Sequence, residues 1–323
     1  MGKKQFINAL NEGDRVDDVF SIRFKKPVRQ TSSGNFFFEM RLGDGTGEIA
    51  MKYWGGKGEQ EVQKAYDSAS KGEVVRVKGK VKRYMENLEI SVNPEEKEGI
   101  RKVQKEEFEI SDFVPISTRD IDTMMTQLME YVEGVANPNL RALLDYFFTD
   151  EEFVRSFRRS PAAVRHHCNW IGGLLEHTLK VTNICASLIN DFPQLDKDLL
   201  ITGAILHDIG KVHEYEMGTA IEATDHGRLV GHISMGAEMV GRACDSMPDF
   251  PSILRSKVVH MVLSSHGVLE FGSPVVPMFP EALAVSQADT LDASLEEFIR
   301  LKDEAVTEDE WTYSKSRGNI YLR

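Results

Sequence analysis

Hydrophobic and polar residues alternate along the first third of the chain, between residues 15 and 92. In EVVRVKGKVKRY, for example, one face of a strand takes Val75, Val77, Gly79 and Val81 and the other takes Arg76, Lys78, Lys80 and Lys82, because successive strand side chains point to opposite faces. Glycines separate the runs, and Asp44-Gly45 is typical of a hairpin turn. The pattern predicts a small all-β barrel with one basic strand face.

Beyond residue 120 apolar residues recur at every third or fourth position, which is typical of helices that bury one face. The segments with this spacing are 123–135, 139–160, 172–191, 196–210, 233–247, 252–267 and 280–305. Between the two patterns, the sequence is charged and of mixed sign. We therefore predict a multidomain chain, with a barrel in residues 1–95, a linker in 96–120 and a nearly all-α domain in 121–323, whose tail is extended or strand-like.

Composition and charge limit the class of protein. With 323 residues, 41% hydrophobic and 28% charged, the chain is long enough for two globular domains. No run approaches the roughly 18 apolar residues of a membrane span, and the N-terminus lacks the apolar segment of a signal peptide. We expect a cytoplasmic protein without membrane contacts.

The net charge of -12 is unevenly divided. Residues 1–95 hold 17 Lys and Arg against 14 Asp and Glu, a net +3, whereas the remainder holds 22 against 37, a net -15. A strongly acidic domain repels polyanions unless bound cations or a local basic path invert its field. A nucleic-acid substrate would need one or both.

Cysteine and histidine usage indicates which kind of metal site to expect. Cys168, Cys185 and Cys244 are widely spaced and never in a CxxC pair, so neither a disulfide framework nor a thiolate zinc site is indicated. Any metal must be held by imidazole and carboxylate. All nine histidines fall between positions 166 and 266, within the predicted helical domain.

His207 and Asp208 end the apolar run of AILHDIGK, with Gly210 as the expected helix C-cap. Burying an unpaired charge is strongly unfavourable, so something must compensate this pair. Neighbouring helical side chains point about 100° apart, and a metal ion between those directions would engage both. The alternative is a salt-bridged aspartate beside a partly exposed histidine, which the dipeptide by itself favours.

Similar residues recur along the helical part. His177 follows GGLLE, His232 begins HISMGAEM, His266 ends LSSH, and Asp289 interrupts the apolar run ALAVSQADTLDA. One such residue is usually a hydrogen-bonded core group, but a series of them is typical of a metal site. Imidazole with carboxylate suits manganese, iron, cobalt, nickel or zinc.

In this order, GGLLEHTLKV, AILHDIGK, GHISMGAEMV, LSSHG and ALAVSQADTLDA resemble the motifs of the HD-domain metal phosphohydrolases over residues 160–300. The resemblance implies two divalent ions, Mn²⁺ first, with Co²⁺, Fe²⁺, Ni²⁺ or Zn²⁺ as alternatives. The ligands it implies for the first ion are His177, His207, Asp208 and Asp289. His232 and His266 would complete a second site that shares Asp208, the central catalytic residue.

One departure from the family pattern concerns the second site. Ser265-His266 stands where some dinuclear relatives have a His-His pair, which leaves His260 as a rival ligand. His266 follows His260 by six positions, which corresponds to a net rotation of about 240° around a helix, so both cannot easily face one ion. We favour His266.

Three further residues are candidates for contacting substrate phosphate. Lys211 follows the His-Asp pair closely enough to act there as a point charge, although an exposed helix-cap lysine is the equal alternative. In SPAAVRHHCNW, Arg165 or His167 could hold a phosphate, with a structural role as the alternative.

RLGDGTGEIAMKYWGG, followed after a helix-like interval by GEVVRVKGKVKRY, resembles the OB-fold of tRNA-anticodon and nuclease accessory domains over residues 12–95. OB-folds bind single strands through a basic groove and aromatic stacking residues. The candidates here are Phe36, Phe38, Lys52, Tyr53, Trp54, Lys80, Lys82, Arg83 and Tyr84. The alternative is that about half of these aromatics are core and that the lysines only solvate the surface.

An OB-fold before an HD domain resembles the YhaM-type 3′-to-5′ exoribonucleases over nearly the whole chain. This implies metal-dependent hydrolysis of single-stranded RNA or DNA. Two other functions stay open: an HD phosphohydrolase or phosphodiesterase for free nucleotides, and a single-strand-binding factor with a vestigial HD site. The presence of all six ligands argues against the latter, and the sequence is compatible with a homo-oligomer.

Overall fold

The computed structural model describes residues 2–164, 169–305 and 309–322. The chain divides into two units, Met1–Ile116 with Met217–Glu222, and Ser117–Glu216 with Ala223–Arg323. The first is a β barrel and the second is helical, which confirms the predicted fold class.

The first unit is a six-stranded sheet closed into a barrel, with one helix, α1 (Glu59–Asp67). Its strands are β1 (Arg15–Gln30), β2 (Phe36–Asp44), β3 (Gly47–Trp54), β4 (Val74–Tyr84), β5 (Asn87–Val92) and β6 (Gly99–Lys102). Their order is β1-β2-β3-β5-β4-β6, and β1 also pairs with β4. The barrel closes because the first part of β1 pairs with β4 and the second part with β2.

The alternation predicted for β4 is present. Val75, Val77 and Val81 are buried, while Lys80 and Lys82 are exposed. The hairpin between β2 and β3 is also present, with Asp44 paired to Gly47.

The prediction of a linker over residues 96–120 is wrong for most of this range. Strand β6 lies within it and pairs with β4, and this unit continues to Ile116. Val103 and Phe113 are buried in a cluster with Val19 and Val74. These apolar residues are too sparse to give a recognisable periodicity, but each is packed by a distant part of the chain.

The second unit is built from helices α2 to α11 and the C-terminal hairpin, whereas the other short hairpin belongs to the first unit from Met217 to Glu222. The helices are α2 (Ile121–Glu133), α3 (Pro138–Phe148), α4 (Glu151–Arg159), α5 (Gly173–Asp191), α6 (Lys197–Leu206), α7 (Lys211–Glu214), α8 (Asp225–Val230), α9 (His232–Asp245), α10 (Ser252–Leu263) and α11 (Pro280–Glu304). The hairpins are β7 (Tyr215–Met217) with β8 (Ile221–Ala223), and β9 (Trp311–Ser314) with β10 (Gly318–Tyr321). The second hairpin accounts for the strand-like pattern of the tail.

Helix α6 lies at the centre of this unit, and every residue from Leu199 to Leu206 is buried. A helix buried on all sides is apolar all round, which explains the continuous apolar run before His207. None of the helices in the described ranges is both long and apolar enough to cross a bilayer.

One predicted helix is two in the structure. The segment 139–160 breaks at Thr149, and the Asp150 side chain accepts hydrogen bonds from the backbone N–H groups of Glu152 and Phe153. Asp150 is therefore the N-cap of α4. Apolar spacing alone did not reveal this cap.

Candidate metal centre and nucleic-acid surface

Four predicted ligands come together in a first cluster. His177 lies on α5, His207 and Asp208 follow α6, and Asp289 lies on α11. His177 Nε2 is 3.2 Å from His207 Nε2, 3.3 Å from Asp208 Oδ2 and 3.1 Å from Asp289 Oδ1. One ligand atom from each residue lies within 4.8 Å of the others, which is close enough for a single ion.

A second cluster shares Asp208. His232 Nε2, at the start of α9, is 3.5 Å from Asp208 Oδ1 and 3.3 Å from His266 Nε2. The two oxygens of Asp208 therefore face different clusters. Oδ1 is buried and has no hydrogen-bond partner among the described residues, as expected for an oxygen that a cation would satisfy.

In the two clusters, His177, His207 and His232 each have a partner for their other ring nitrogen. Nδ1 of His207 is 2.8 Å from the Ala204 carbonyl oxygen, and Nδ1 of His177 is 2.7 Å from Asp292 Oδ2. Nδ1 of His232 is 3.0 Å from Glu214 Oε2. Such partners fix the ring and its tautomer so that Nε2 can bind a metal.

The charges around the first cluster favour a cation. Burial alone would lower the pKa of His177, but hydrogen bonds to Asp208, Asp289 and Asp292 outweigh it and hold that pKa well above its usual range. Burial lowers the pKa of His207, which keeps its ring neutral, the form that binds metals. Carboxylates that stabilise a proton on His177 also stabilise a metal ion in its place. The donor set and its charge thus fit a pair of divalent ions.

Lys211 is buried beside this centre, so the alternative of an exposed cap lysine is wrong. Its Nζ donates to Asp208 Oδ2 at 2.6 Å. Burial would lower the pKa of Lys211, but the charges of Asp208 and Asp289 outweigh it and raise that pKa. Lys211 therefore stays charged at neutral pH.

A cavity of about 510 Å³ opens onto the centre. Its walls include Lys211, Tyr215, His232, Asp289, Arg300 and Arg317. The sequence reasoning missed Tyr215, Arg300 and Arg317, since no local pattern connects them with the His and Asp motifs.

Two other predictions concern residues outside the clusters. His260 Nε2 accepts a hydrogen bond from the Met278 backbone N–H at 3.1 Å, and its ring lies 5.3 Å from that of Phe279. His266, not His260, belongs to the second cluster. The candidate phosphate ligands Arg165 and His167 lie outside the described residues.

Gly210 is not a helix C-cap, because α6 ends at Leu206 with His207 as its C-cap and Gly210 has a φ of -64°. A Cβ on Gly210 would lie 2.1 Å from the His232 carbonyl oxygen and 2.6 Å from the Gly236 nitrogen. Glycine is needed here for the close approach of this turn to the first turn of α9. That approach places His232 beside Asp208.

Asp292 provides a test of how the first cluster is oriented. Asp292→Ala should weaken Mn²⁺ binding at that cluster about 10–100-fold, because His177 loses the carboxylate that orients its ring. Asp292→Asn keeps an acceptor and should retain part of the affinity. Calorimetric titration of Mn²⁺ measures the change, with Asp303→Ala, an exposed aspartate of the same helix, as the control. Equal affinity in all four proteins would contradict this role of Asp292.

The predicted aromatic residues of the barrel divide between core and surface. Phe38 is fully buried and stacks on Tyr53 with ring centroids 4.8 Å apart, so its prediction as a stacking residue is corrected. Phe36 and Tyr53 are partly buried against the same core, and Tyr84 is exposed.

A surface stack that the sequence reasoning missed lies on β2 and β3. Phe37 stacks on Trp54 with ring centroids 5.4 Å apart, and Lys52 Nζ lies 4.5 Å from the Tyr84 ring centroid. Phe37, Lys52, Trp54 and Tyr84 are called the barrel surface below. It combines aromatic faces with a cation, as single-strand binding requires.

Ion pairs neutralise part of the predicted basic face. Arg83 Nε is 3.0 Å from Glu12, and Lys52 Nζ is 3.5 Å from Glu89. The Arg83–Glu12 pair is exposed and contributes little stability, so a phosphate could compete for Arg83, whereas the Lys52–Glu89 pair is largely buried.

Comparison with known families agrees with the division of the chain into a β-barrel unit and a helical unit. The profile of the HD domain matches residues 174–294, and that of the OB-fold nucleic acid binding domain matches residues 19–97. A domain of replication protein A from Methanococcus maripaludis is 24% identical, covering 32% of this chain and 98% of its own, with a TM-score of 0.25. An OB domain from Thermoplasma acidophilum is 15% identical, covering 31% and 86%, with a TM-score of 0.24. The two profile matches thus place an N-terminal OB-fold before a helical HD domain, and the HD match indicates a metal-dependent hydrolase.

Proposed function

We propose that this protein is a metal-dependent 3′-to-5′ exoribonuclease that hydrolyses the phosphodiester bonds of single-stranded RNA, with single-stranded DNA as a further substrate. The observation that supports this most is the position of Asp208, whose two oxygens face separate ligand clusters beside an open cavity. The order of an OB-fold before an HD domain, as in the YhaM-type enzymes, supports the exonuclease assignment and the direction.

The ligand roles follow from the two clusters. His177, His207 and Asp289 would hold one ion, His232 and His266 the other, and Asp208 both. Divalent ions held there would stabilise the charge that develops during phosphodiester hydrolysis and would lower the pKa of water towards neutrality. No protein nucleophile is then required.

Lys211 and the cavity walls would act on the substrate. The Lys211 ammonium remains charged and lies in the cavity wall, where it can contact a phosphate oxygen. Arg300 lies in the same wall, as does Arg317, whose charge Glu297 partly neutralises. These cations would provide the local basic path that a polyanion needs within a domain of net negative charge.

A labelled oligonucleotide tests both the activity and its direction. Single-stranded RNA with a label at its 5′ end should yield a ladder of labelled products that shorten steadily in the presence of Mn²⁺. Immediate release of the label as a mononucleotide would contradict the direction. Cleavage of a circular RNA would contradict exonuclease action, and no hydrolysis with Mn²⁺, Co²⁺, Fe²⁺, Ni²⁺ or Zn²⁺ would contradict the enzyme assignment.

The barrel surface should affect long substrates more than short ones. The double variant Phe37→Ala/Trp54→Ala should raise KM for an RNA oligonucleotide by about tenfold or more, since stacking contributes roughly 1–3 kcal/mol per base. A dinucleotide, too short to need the barrel, should be hydrolysed at the unchanged rate. Initial rates on both substrates measure the effect.

Two variants control this experiment. Trp54→Phe keeps a stacking face and should stay close to the unaltered protein, and Phe24→Ala removes an exposed β1 aromatic outside the Phe37–Trp54 stack. Surface variants are preferable to deleting residues 1–95, because that deletion would leave β6 and Met217–Glu222 without the rest of their unit. Equal losses on the dinucleotide and the oligonucleotide would contradict a separate binding role.

A further inference from the structure

The hairpin of β9 and β10 has two chemically different faces. Ile320 is buried on one face. On the other, Trp311, Tyr313 and Tyr321 are 58%, 71% and 51% exposed. We call these three residues the aromatic platform. Three large aromatics on one exposed face are unusual unless the surface binds something.

The strand register makes the platform continuous. Trp311 is paired directly with Tyr321, and their ring centroids are 5.2 Å apart. Tyr313 lies two residues along β9 from Trp311, on the same side of the hairpin, opposite Asn319. The three aromatic side chains therefore lie on one face of the hairpin, with the Trp311 and Tyr321 ring planes tilted by 55°.

The turn of the same hairpin is fixed to the wall of the catalytic cavity. Arg317 Nε donates to Glu297 Oε2 at 2.6 Å, and its Nη2 donates to Ser294 Oγ at 3.0 Å. Ser316 Oγ donates to the other oxygen of Glu297 at 2.6 Å. Glu297, Ser294 and Arg317 line the cavity together with Lys211 and Asp289. One short element thus joins the platform to the cavity that contains the ligand clusters.

We propose that the aromatic platform binds the bases of a single-stranded nucleic acid whose terminal phosphodiester lies in this cavity. Aromatic faces accept any base by stacking, and the turn that carries Arg317 links them directly to the cavity wall. The cations in the adjoining cavity wall favour a polyanion over an apolar protein partner. The proposal rests on the proposed nuclease function and adds a second contact region for the substrate, on the helical unit itself.

The test uses two substrates that differ in how much of the protein surface they can contact. Bis(p-nitrophenyl) phosphate needs only the metal centre, whereas an RNA oligonucleotide also covers the platform. In the full-length protein, Trp311→Ala/Tyr313→Ala/Tyr321→Ala should raise KM for the oligonucleotide by about tenfold or more and leave the rate on bis(p-nitrophenyl) phosphate unchanged. Trp311→Phe/Tyr313→Phe/Tyr321→Phe, the phenylalanine variant, keeps the π faces and should retain most of the affinity.

A control variant and the alternative results separate this proposal from the proposed function. Tyr146→Ala removes an equally exposed tyrosine of α3 and should change neither rate. If the alanine variant keeps its KM for RNA, or if the phenylalanine variant loses as much as the alanine variant, the platform proposal is overturned while the nuclease function stands. If the unaltered protein hydrolyses bis(p-nitrophenyl) phosphate but not RNA, the nuclease function and the platform proposal both fail. If it hydrolyses neither, the metal-dependent hydrolase assignment fails with them.

Discussion

Asp208→Asn should abolish hydrolysis of both RNA and bis(p-nitrophenyl) phosphate, with kcat lowered by about a thousandfold or more. This is a loss of roughly 4 kcal/mol of transition-state stabilisation, a magnitude typical for removing metal-based charge stabilisation. Asparagine has nearly the same shape as aspartate but offers one neutral oxygen in place of two charged ones. Since Oδ1 and Oδ2 face different clusters, this single change should weaken both.

Elemental analysis of the purified proteins should accompany the rates. We expect two ions per chain in the unaltered protein and fewer in Asp208→Asn. Asp245→Asn, which alters a surface aspartate paired with Arg255, is the matched control and should keep both activity and metal. An Asp208→Asn protein with full activity and full metal content would rule out the shared-ligand centre.

The six clustered His and Asp residues could be singled out in the sequence because each lies in or next to a helical segment with clear apolar spacing, and the HD-domain resemblance implied them as a set. In such a segment, an isolated His or Asp is conspicuous. Asp292 and Glu214 were missed since they act through other residues: Asp292 contacts His177, which lies on another helix. Asp292 was nevertheless detectable, because it lies three residues after Asp289 and so on nearly the same face of α11.

The sequence of β2 also indicates which phenylalanines lie in the core and which lie on the barrel surface. In NFFFEMRL, Phe38, Met40 and Leu42 alternate with Glu39 and Arg41, so period-two spacing already assigns Phe38 to the core. By the same spacing Phe37 lies on the outer face with Glu39, which the structure bears out through the Phe37–Trp54 stack. Three consecutive phenylalanines obscured this alternation.

Other features depend on contacts between distant segments and could not be read locally. Strand β6 is four residues long and is stabilised by its pairing with β4. Arg317 reaches the cavity only because the last hairpin is held to α11 through Glu297. Neither contact produces a periodic pattern of apolar residues in the sequence.

Gly210→Ala should destabilise the helical unit and disrupt the second ligand cluster. The added Cβ would meet backbone atoms of His232 and Gly236, which cannot move without shifting the start of α9. Overpacking of this kind costs about 1–3 kcal/mol and occasionally more. For a unit of this size, that corresponds to a fall in Tm of roughly 2–12 °C. His232 should shift with the backbone, so bound metal should fall as well.

Gly210→Ala should lower the free energy of unfolding if the close approach to α9 exists and raise it if it does not. Gly210 has an ordinary helical φ of -64°, so without the close approach alanine would stabilise the fold by roughly 0.4–1 kcal/mol through the unfolded chain. Gly241→Ala is the matched control, because its nearest atom is the end of the flexible Arg255 side chain at 3.2 Å. Thermal unfolding without added metal separates packing from metal binding. A higher Tm in both variants would show that His232 is not positioned by Gly210, whereas a fall in Gly210→Ala alone would establish that contact as a determinant of the second cluster.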